Sequence, residues 1–236
     1  MARQARLTIP GHPHHLLIRG NNRQPVFVDD DDRKRLLRQL GDALCEHPVT
    51  LHAYVLMPDH LHLLATPADE GSLARLMQSL GRRYVASFNA RHRRSGTLWE
   101  GRYRAHVVGG ADNVLRCMRF IELNPQRSGL ASGLHEGGWS SLAHHLGALR
   151  DPLITEPVAY WQLGNTPFDR EAAYRHWLEQ GVGALEAQRI VSSLVGGRPF
   201  GDAAFVADLE KLTSRSLVAR PRGRPPKSAH ETVPNK

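Results

Sequence analysis

The sequence predicts an α+β fold: a four-stranded antiparallel sheet with two helices on one face, followed by a helical C-terminal extension. Three observations predict it. Short apolar stretches and amphipathic stretches alternate in the order β-α-β-β-α-β-α. The two longest amphipathic stretches each carry a single apolar stripe at helical spacing. A Pro58-Asp59 corner separates two apolar runs and marks them as a hairpin.

Residues 15–19 (HLLIR) form a short apolar strand, and Gly20-Asn21-Asn22 turns the chain. Asp30 or Asp31 can cap a helix whose stripe is Leu36, Leu37, Leu40 and Leu44, with Pro48 as its stop. Residues 51–57 and 60–66 are the second and third strands. Ser72 caps the next helix, with Leu73, Leu76, Met77, Leu80, Tyr84 and Phe88 on one side, running to about residue 94. Residues 101–108 (GRYRAHVV) are the fourth strand. Asp112 can cap a third helix with Val114, Leu115, Met118 and Ile121 on one face. Asn124 is its last residue, because the residue before Pro125 is pushed out of helical geometry. The first six elements follow the split βαβ, or ferredoxin-like, pattern βαββαβ. From about residue 131 glycine and proline pairs break the chain into short pieces. Helical stretches then cover about 170–194 and 202–213. These shifts divide the chain into 1–130, a helical extension at 131–214, and a basic, proline-rich tail at 215–236 expected to be disordered.

Composition narrows the function classes. No apolar run is long enough to span a membrane, and the N-terminus lacks the apolar stretch of a secretory signal. Two cysteines, Cys45 and Cys117, read as reduced thiols in a cytosolic protein. The net charge is +8 and the pI about 10.1, the electrostatic footprint of a nucleic-acid partner. The charge is clustered. Arg82, Arg83, Arg91, Arg93 and Arg94 share one stretch that contains no acid, and seven basic residues from Lys211 onward face Glu231 alone. Two clusters suggest two phosphate contacts.

His60 and His62 lie two apart on a strand, so both imidazoles share one face while Leu61 and Leu63 point into the helix-covered core. On an open sheet face such a pair can hold one divalent cation. The plainer reading is two solvent-facing histidines. Two features favour the metal: imidazoles interrupt an otherwise apolar run where valine or isoleucine would be cheaper, and the side-chain oxygen of Asn124 can reach over the sheet. Phe120 lies one turn before Asn124 on the same helix face, about 120° from the apolar stripe. It reads either as a satellite core residue or as a position where function would want a phenol.

Met57-Pro58-Asp59-His60-Leu61-His62-Leu63-Leu64 resembles the HUH signature of single-tyrosine transposases. Arg19-Gly20-Asn21-Asn22-Arg23, Leu98-Trp99-Glu100-Gly101-Arg102-Tyr103 and Arg119-Phe120-Ile121-Glu122-Leu123-Asn124-Pro125 resemble three further stretches of the REP-associated branch, in the family's order, within residues 14–130. The resemblance implies a ferredoxin-like nuclease domain with Mg²⁺ or Mn²⁺ held by His60, His62 and Asn124. It implies action on single-stranded DNA beside a hairpin, through a 5′-phosphotyrosine and a free 3′-hydroxyl. It further implies DNA contacts from Arg19, Asn21, Asn22, Arg23, Arg102 and Arg104, from the second-helix arginines, and from the extension. No small-molecule cofactor is expected, and the protein is expected to be cytoplasmic, nucleoid-associated and a monomer or homodimer.

One departure matters. Where the family keeps its nucleophilic tyrosine, four residues before the Asn, this chain has Phe120. Phenylalanine has no oxygen to attack phosphorus, so the chain as written is expected to bind DNA without cleaving it. An engineered Tyr→Phe change, which removes one hydroxyl and keeps the shape, competes with a natural loss that leaves a non-catalytic DNA-binding protein. A metal-dependent hydrolase of another substrate is a third reading, which the basic clusters oppose. In the tail, Pro221-Arg222-Gly223-Arg224-Pro225-Pro226-Lys227 resembles an AT-hook core, whose Arg222 and Arg224 would enter a narrow A·T-rich minor groove.

Overall fold

The computed structural model describes residues 6–134 and 138–217. Strands β1 (His14–Arg19), β2 (Val49–Met57), β3 (His60–Pro67) and β4 (Arg104–Val107) form one sheet in the order β2-β3-β1-β4. Every neighbouring pair is antiparallel. With α1 (Asp30–Glu46) after β1 and α2 (Ser72–Arg91) after β3, this is the ferredoxin-like βαββαβ arrangement expected from the sequence.

Period two along the strands sorts the residues into two cores. On one face Leu16, Ile18, Tyr54, Leu56, Leu61 and Leu63 pack against Leu36 and Leu40 of α1 and the Leu73-to-Phe88 stripe of α2. The other face is covered as well, contrary to the expectation of an open one. There α3 (Ala111–Glu122) lies over Ala53, Val55, Met57 and Leu64. Residues of α5 (Leu142–His145), α6 (Val158–Trp161), α7 (Pro167–Glu179) and α8 (Ala184–Gly196) complete that second core through Leu142, Tyr160, Tyr174 and Ile190. The extension also covers both sheet edges. Leu56 N–H donates to Trp139 O at 2.8 Å along β2, and Phe200 N–H donates to Val107 O at 2.8 Å along β4. Backbone groups that would otherwise invite another chain are thus satisfied.

The helix boundaries reflect local chemistry and amend several expectations. The cap of α1 is Asp29, which accepts from Asp32 N–H at 3.1 Å, and the next three acids favour the positive helix end. Neither Ser72 nor Asp112 caps its helix: Gly71 and Gly110 hold those positions, without a side-chain bond. The fourth strand is shorter than predicted, with Arg102 and Tyr103 lying before it. The third helix ends at Glu122, and Asn124 opens a separate short helix, α4 (Asn124–Arg127), with Pro125 in its first turn. A first-turn proline loses no helical bond, so it starts this turn instead of merely ending the previous one. A last helix, α9 (Ala203–Thr213), completes the described chain. Cys45 and Cys117 are unpaired. No described helix is long and apolar enough to cross a membrane. The tail motif with Arg222 and Arg224 lies outside the described residues.

Candidate functional site

The sequence stretches singled out above converge at one end of β1 and β3. Gly20 N–H donates to Asp59 O at 2.7 Å, Asn21 N–H to Leu98 O at 2.8 Å, and Glu100 N–H to Arg19 O at 2.8 Å. The Asn21–Arg23 segment forms one 3-10 turn between the β2–β3 corner and residues 98–100. Gly20 is required there by space: a Cβ would overlap Gln24 O and the Val26 side chain.

His60 starts β3, and its Nδ1 bonds Asp59 Oδ1 at 2.5 Å. The His62 Nδ1 bonds His15 Nε2 at 2.7 Å. Each ring therefore has one nitrogen engaged and leaves its Nε2 for another partner. The two rings stand 5.1 Å apart, edge to face. The Asn124 amide meets this pair, with Nδ2 3.5 Å from His60 Nε2 and Oδ1 accepting from Ser128 Oγ at 3.2 Å. Turning the amide over brings its oxygen to the His60 side. Burial lowers the pKa of His60, against the opposing pull of Asp59. It lowers that of His62 much further, with the charges of His60, Arg127 and Arg19 acting in the same direction. Neutral imidazoles keep the lone pair a cation needs.

Phe120 is not on a spare face of its helix. It is 3% exposed, as are most of its neighbours, because α3 is packed between the sheet and the extension. Its ring is nevertheless turned toward the histidines, with centroids 5.9 Å from His62 and 5.8 Å from His15, both edge to face. Arg127 covers the ring, its Cζ 3.9 Å from the centroid.

Two groups of buried polar residues were missed at the sequence level. The first continues from His62 across the sheet: His15 Nδ1 lies 3.3 Å from His106 Nε2, and Cys117 is close by. Ligand atoms of His15, His106 and Cys117 fall within 4.8 Å of one another, but burial pushes the Cys117 thiol up, away from the thiolate a metal needs. A row of hydrogen-bonded imidazoles describes this group better than a metal cage. Neither His15, which follows His14 at the start of β1, nor His106, alone on β4, carries the alternating pattern that singled out His60 and His62. The second group centres on Glu122. Its carboxyl accepts from Ser141 Oγ at 2.5 Å, His145 Nδ1 at 2.6 Å and Tyr174 O–H at 2.6 Å, all fully buried. Three donors on two oxygens suit a carboxylate. This cluster ties α5 and α7 to the end of α3, between Phe120 and Asn124.

The arginines separate by environment. Arg83 pairs with Glu46 at 2.6 Å, and Arg91 with Asp29 and Asp32 at 2.7 and 2.6 Å. Arg94 donates to Gln24 at 3.0 Å, and Arg104 to Val195 O at 3.4 Å. The acid-free stretch thus meets its acids from α1. Arg23, Arg82, Arg93 and Arg102 are exposed, and Arg19 is half-buried opposite His60 in the β1–β3 register.

The family model for IS200-like transposases matches residues 9–124. No curated protein sequence matches the chain. Among solved structures, a REP-associated tyrosine transposase bound to a REP hairpin aligns with a TM-score of 0.54 at 16% identity, covering 66% of this chain and 92% of that one. That likeness is one of fold. A candidate transposase from Deinococcus radiodurans aligns at 21% identity with a TM-score of 0.36, covering 56% of this chain and 100% of that one. Residues 9–124, which the family model matches, hold the whole sheet together with His60, His62, Phe120 and Asn124, and over this stretch the chain is similar to the IS200-like transposase family.

Proposed function

We propose that this chain is a transposase-type protein of the REP-associated branch that binds single-stranded DNA next to a hairpin, and that Phe120 leaves it unable to form the covalent intermediate of strand transfer. The observation that carries the reading is the convergence of the imidazoles of His60 and His62, each held through Nδ1, with the Asn124 amide and the ring of residue 120.

The donor set fits a divalent cation of the Mg²⁺ or Mn²⁺ kind. Asp59 and His15 occupy the Nδ1 atoms, as carboxylate and imidazole partners do for metal-bound histidines, and Asn124 supplies a neutral oxygen. A cation held there by His60, His62 and Asn124 supplies Lewis-acid polarisation of a phosphodiester and a fixed point for it. Asp59 and His15 orient the two imidazoles. The Asn124 carboxamide, at the first turn of α4, is held by Ser128. With tyrosine at residue 120 its phenolic oxygen would bond to phosphorus, the P–O3′ bond would break, and the phenol proton would pass to the departing 3′-oxygen. With phenylalanine no such bond forms, and binding remains. The exposed arginines of α2 and of residues 93 and 102 supply phosphate contacts that set register without reading sequence. The extension grips folded DNA beside the sheet, and the AT-hook-like tail adds a minor-groove contact.

Fluorescence anisotropy with labelled DNA tests this. A hairpin carrying a single-stranded flank binds more tightly than the same stem without a flank, and Mn²⁺ produces no cut strand from the Phe120 protein. Cleavage by the Phe120 protein, or binding indifferent to the flank, contradicts the proposal.

A further inference from the structure

One cation beside the candidate site was not singled out by its motifs. Arg127 ends α4, three residues after Asn124 and therefore on the same side of that short helix. Its guanidinium carbon lies over the Phe120 ring, 3.9 Å from the centroid, and its Nη2 donates to Phe120 O at 2.9 Å. One edge of the planar fork is thereby fixed, while the residue as a whole remains surface-exposed. Among the described residues no carboxylate pairs with it, unlike Arg83, Arg91 and Arg119. Its charge reaches His15, His60 and His62. Partial burial without a counter-charge lowers its pKa to about 10. Arg19 approaches the same pair from the end of β1, and its buried Nε has no hydrogen-bond partner. Two guanidiniums thus flank the imidazole pair; the carboxylate of Asp59 is engaged by His60 Nδ1, and among the described residues neither arginine has a carboxylate partner.

We propose that Arg127 binds the scissile phosphodiester of a DNA strand lying across His60 and His62, its outward edge donating to a non-bridging phosphate oxygen, with Arg19 closing the other side. A planar fork held over a ring and tied by one hydrogen bond is prepared for this contact, since little of its freedom remains to be lost on binding. The ring links the two roles: residue 120 supports the guanidinium through its ring face and presents its edge to the histidines. This inference rests on the DNA-nicking reading above.

The experiment first maps the cut linkage with the Phe120→Tyr protein on a flanked hairpin with Mn²⁺. Absence of any cut removes the nicking reading and this inference with it. The mapped linkage is then replaced by an uncharged methylphosphonate. Binding of both oligonucleotides is measured in EDTA with the Phe120 protein and with Arg127→Gln. The expected result is a loss of about tenfold or more for methylphosphonate with the Phe120 protein, in line with a charge-assisted hydrogen bond. Arg127→Gln should bind the natural linkage more weakly and separate the two linkages by a smaller factor than the parent, with Arg19 keeping the remainder. A variant that still separates the two linkages by the parent's factor overturns the assignment, with the nicking reading intact. If Arg127→Gln fails to fold, Arg127→Lys is read instead: a point charge in place of the fork gives a smaller separation, and parental separation overturns the proposal.

Discussion

The buried carboxyl of Glu122 gives a stability prediction whose size follows from its partners. Tyr174 donates its hydroxyl to Glu122 Oε2 at 2.6 Å, both residues having no exposed surface. Burial, and then the Glu122 charge, push the Tyr174 phenol well above its ordinary pKa, so it stays a donor. Tyr174→Phe keeps the ring and removes only that donor, so no large cavity term arises. A hydrogen bond to a charged group contributes about 1.5–3 kcal/mol, and an oxygen left without its donor cannot recruit water in a sealed site. The expected cost is about 2 kcal/mol. For a chain of 236 residues this lowers Tm by about 4–8 °C. Tyr160 supplies the internal control, because its hydroxyl donates to the neutral His145 O at 2.8 Å. Tyr160→Phe is expected to cost about 1 kcal/mol. Thermal melts followed by circular dichroism measure both. A Tyr174→Phe protein that melts within a degree of the parent, or a Tyr160→Phe protein that proves the more damaged, contradicts this.

Two further outcomes follow from the histidines. His14 is buried, donates from Nδ1 to His12 O at 2.7 Å and accepts Ile9 N–H at Nε2 at 3.1 Å, so a second ring proton would face an amide proton. Burial, against the pull of the His12 carbonyl, lowers its pKa to about 4. The unfolded chain takes up that proton first, at about pH 6.5. The contribution is therefore complete above that pH and drains away as pH falls toward 4, with about 2 kcal/mol gone by pH 5. Urea midpoints should fall between pH 7 and pH 5, and equal midpoints contradict this. In the imidazole row, His15→Leu removes the acceptor at His62 Nδ1, while His15→Gln places an amide oxygen near that position. Calorimetric titration with Mn²⁺ should show affinity about 10–100-fold weaker for His15→Leu and largely kept by His15→Gln. Equal affinities for parent and His15→Leu would show that His15 does not orient His62.

Much of the fold was legible because period two and helical spacing report burial directly. Leu61 and Leu63 against His60 and His62 divide β3 into two faces, and both assignments agree with the two cores. The stripe of α2 and Leu36 and Leu40 of α1 fell on buried positions for the same reason, while Leu37 and Leu44 are partly buried. What escaped depended on long-range packing. Nothing local shows that α5 to α8 fold back over the second face, so α3 was expected to keep one dry stripe, whereas Arg119, Phe120 and Glu122 are all buried. The acids that engage Arg83 and Arg91 lie on α1, far away in sequence. The break at Leu123, which starts a new turn at Asn124, arises from a proline usable at either end of a helix. The proximity of Asn124 to His60, 64 residues apart, was suggested by a motif and became a distance only in three dimensions.

Strand transfer requires residue 120 to face a phosphodiester held at the His60–His62–Asn124 corner, and one covalent test reaches that geometry directly. Phe120→Tyr protein is incubated with a fluorescent single-stranded hairpin DNA and Mn²⁺, then run on a denaturing gel. The expected result is a slower, fluorescent protein–DNA band that is absent with Phe120 and absent when His62→Ala is added to Phe120→Tyr. No such band from a folded Phe120→Tyr protein that binds the hairpin, or an equal band with Phe120 retained, contradicts it.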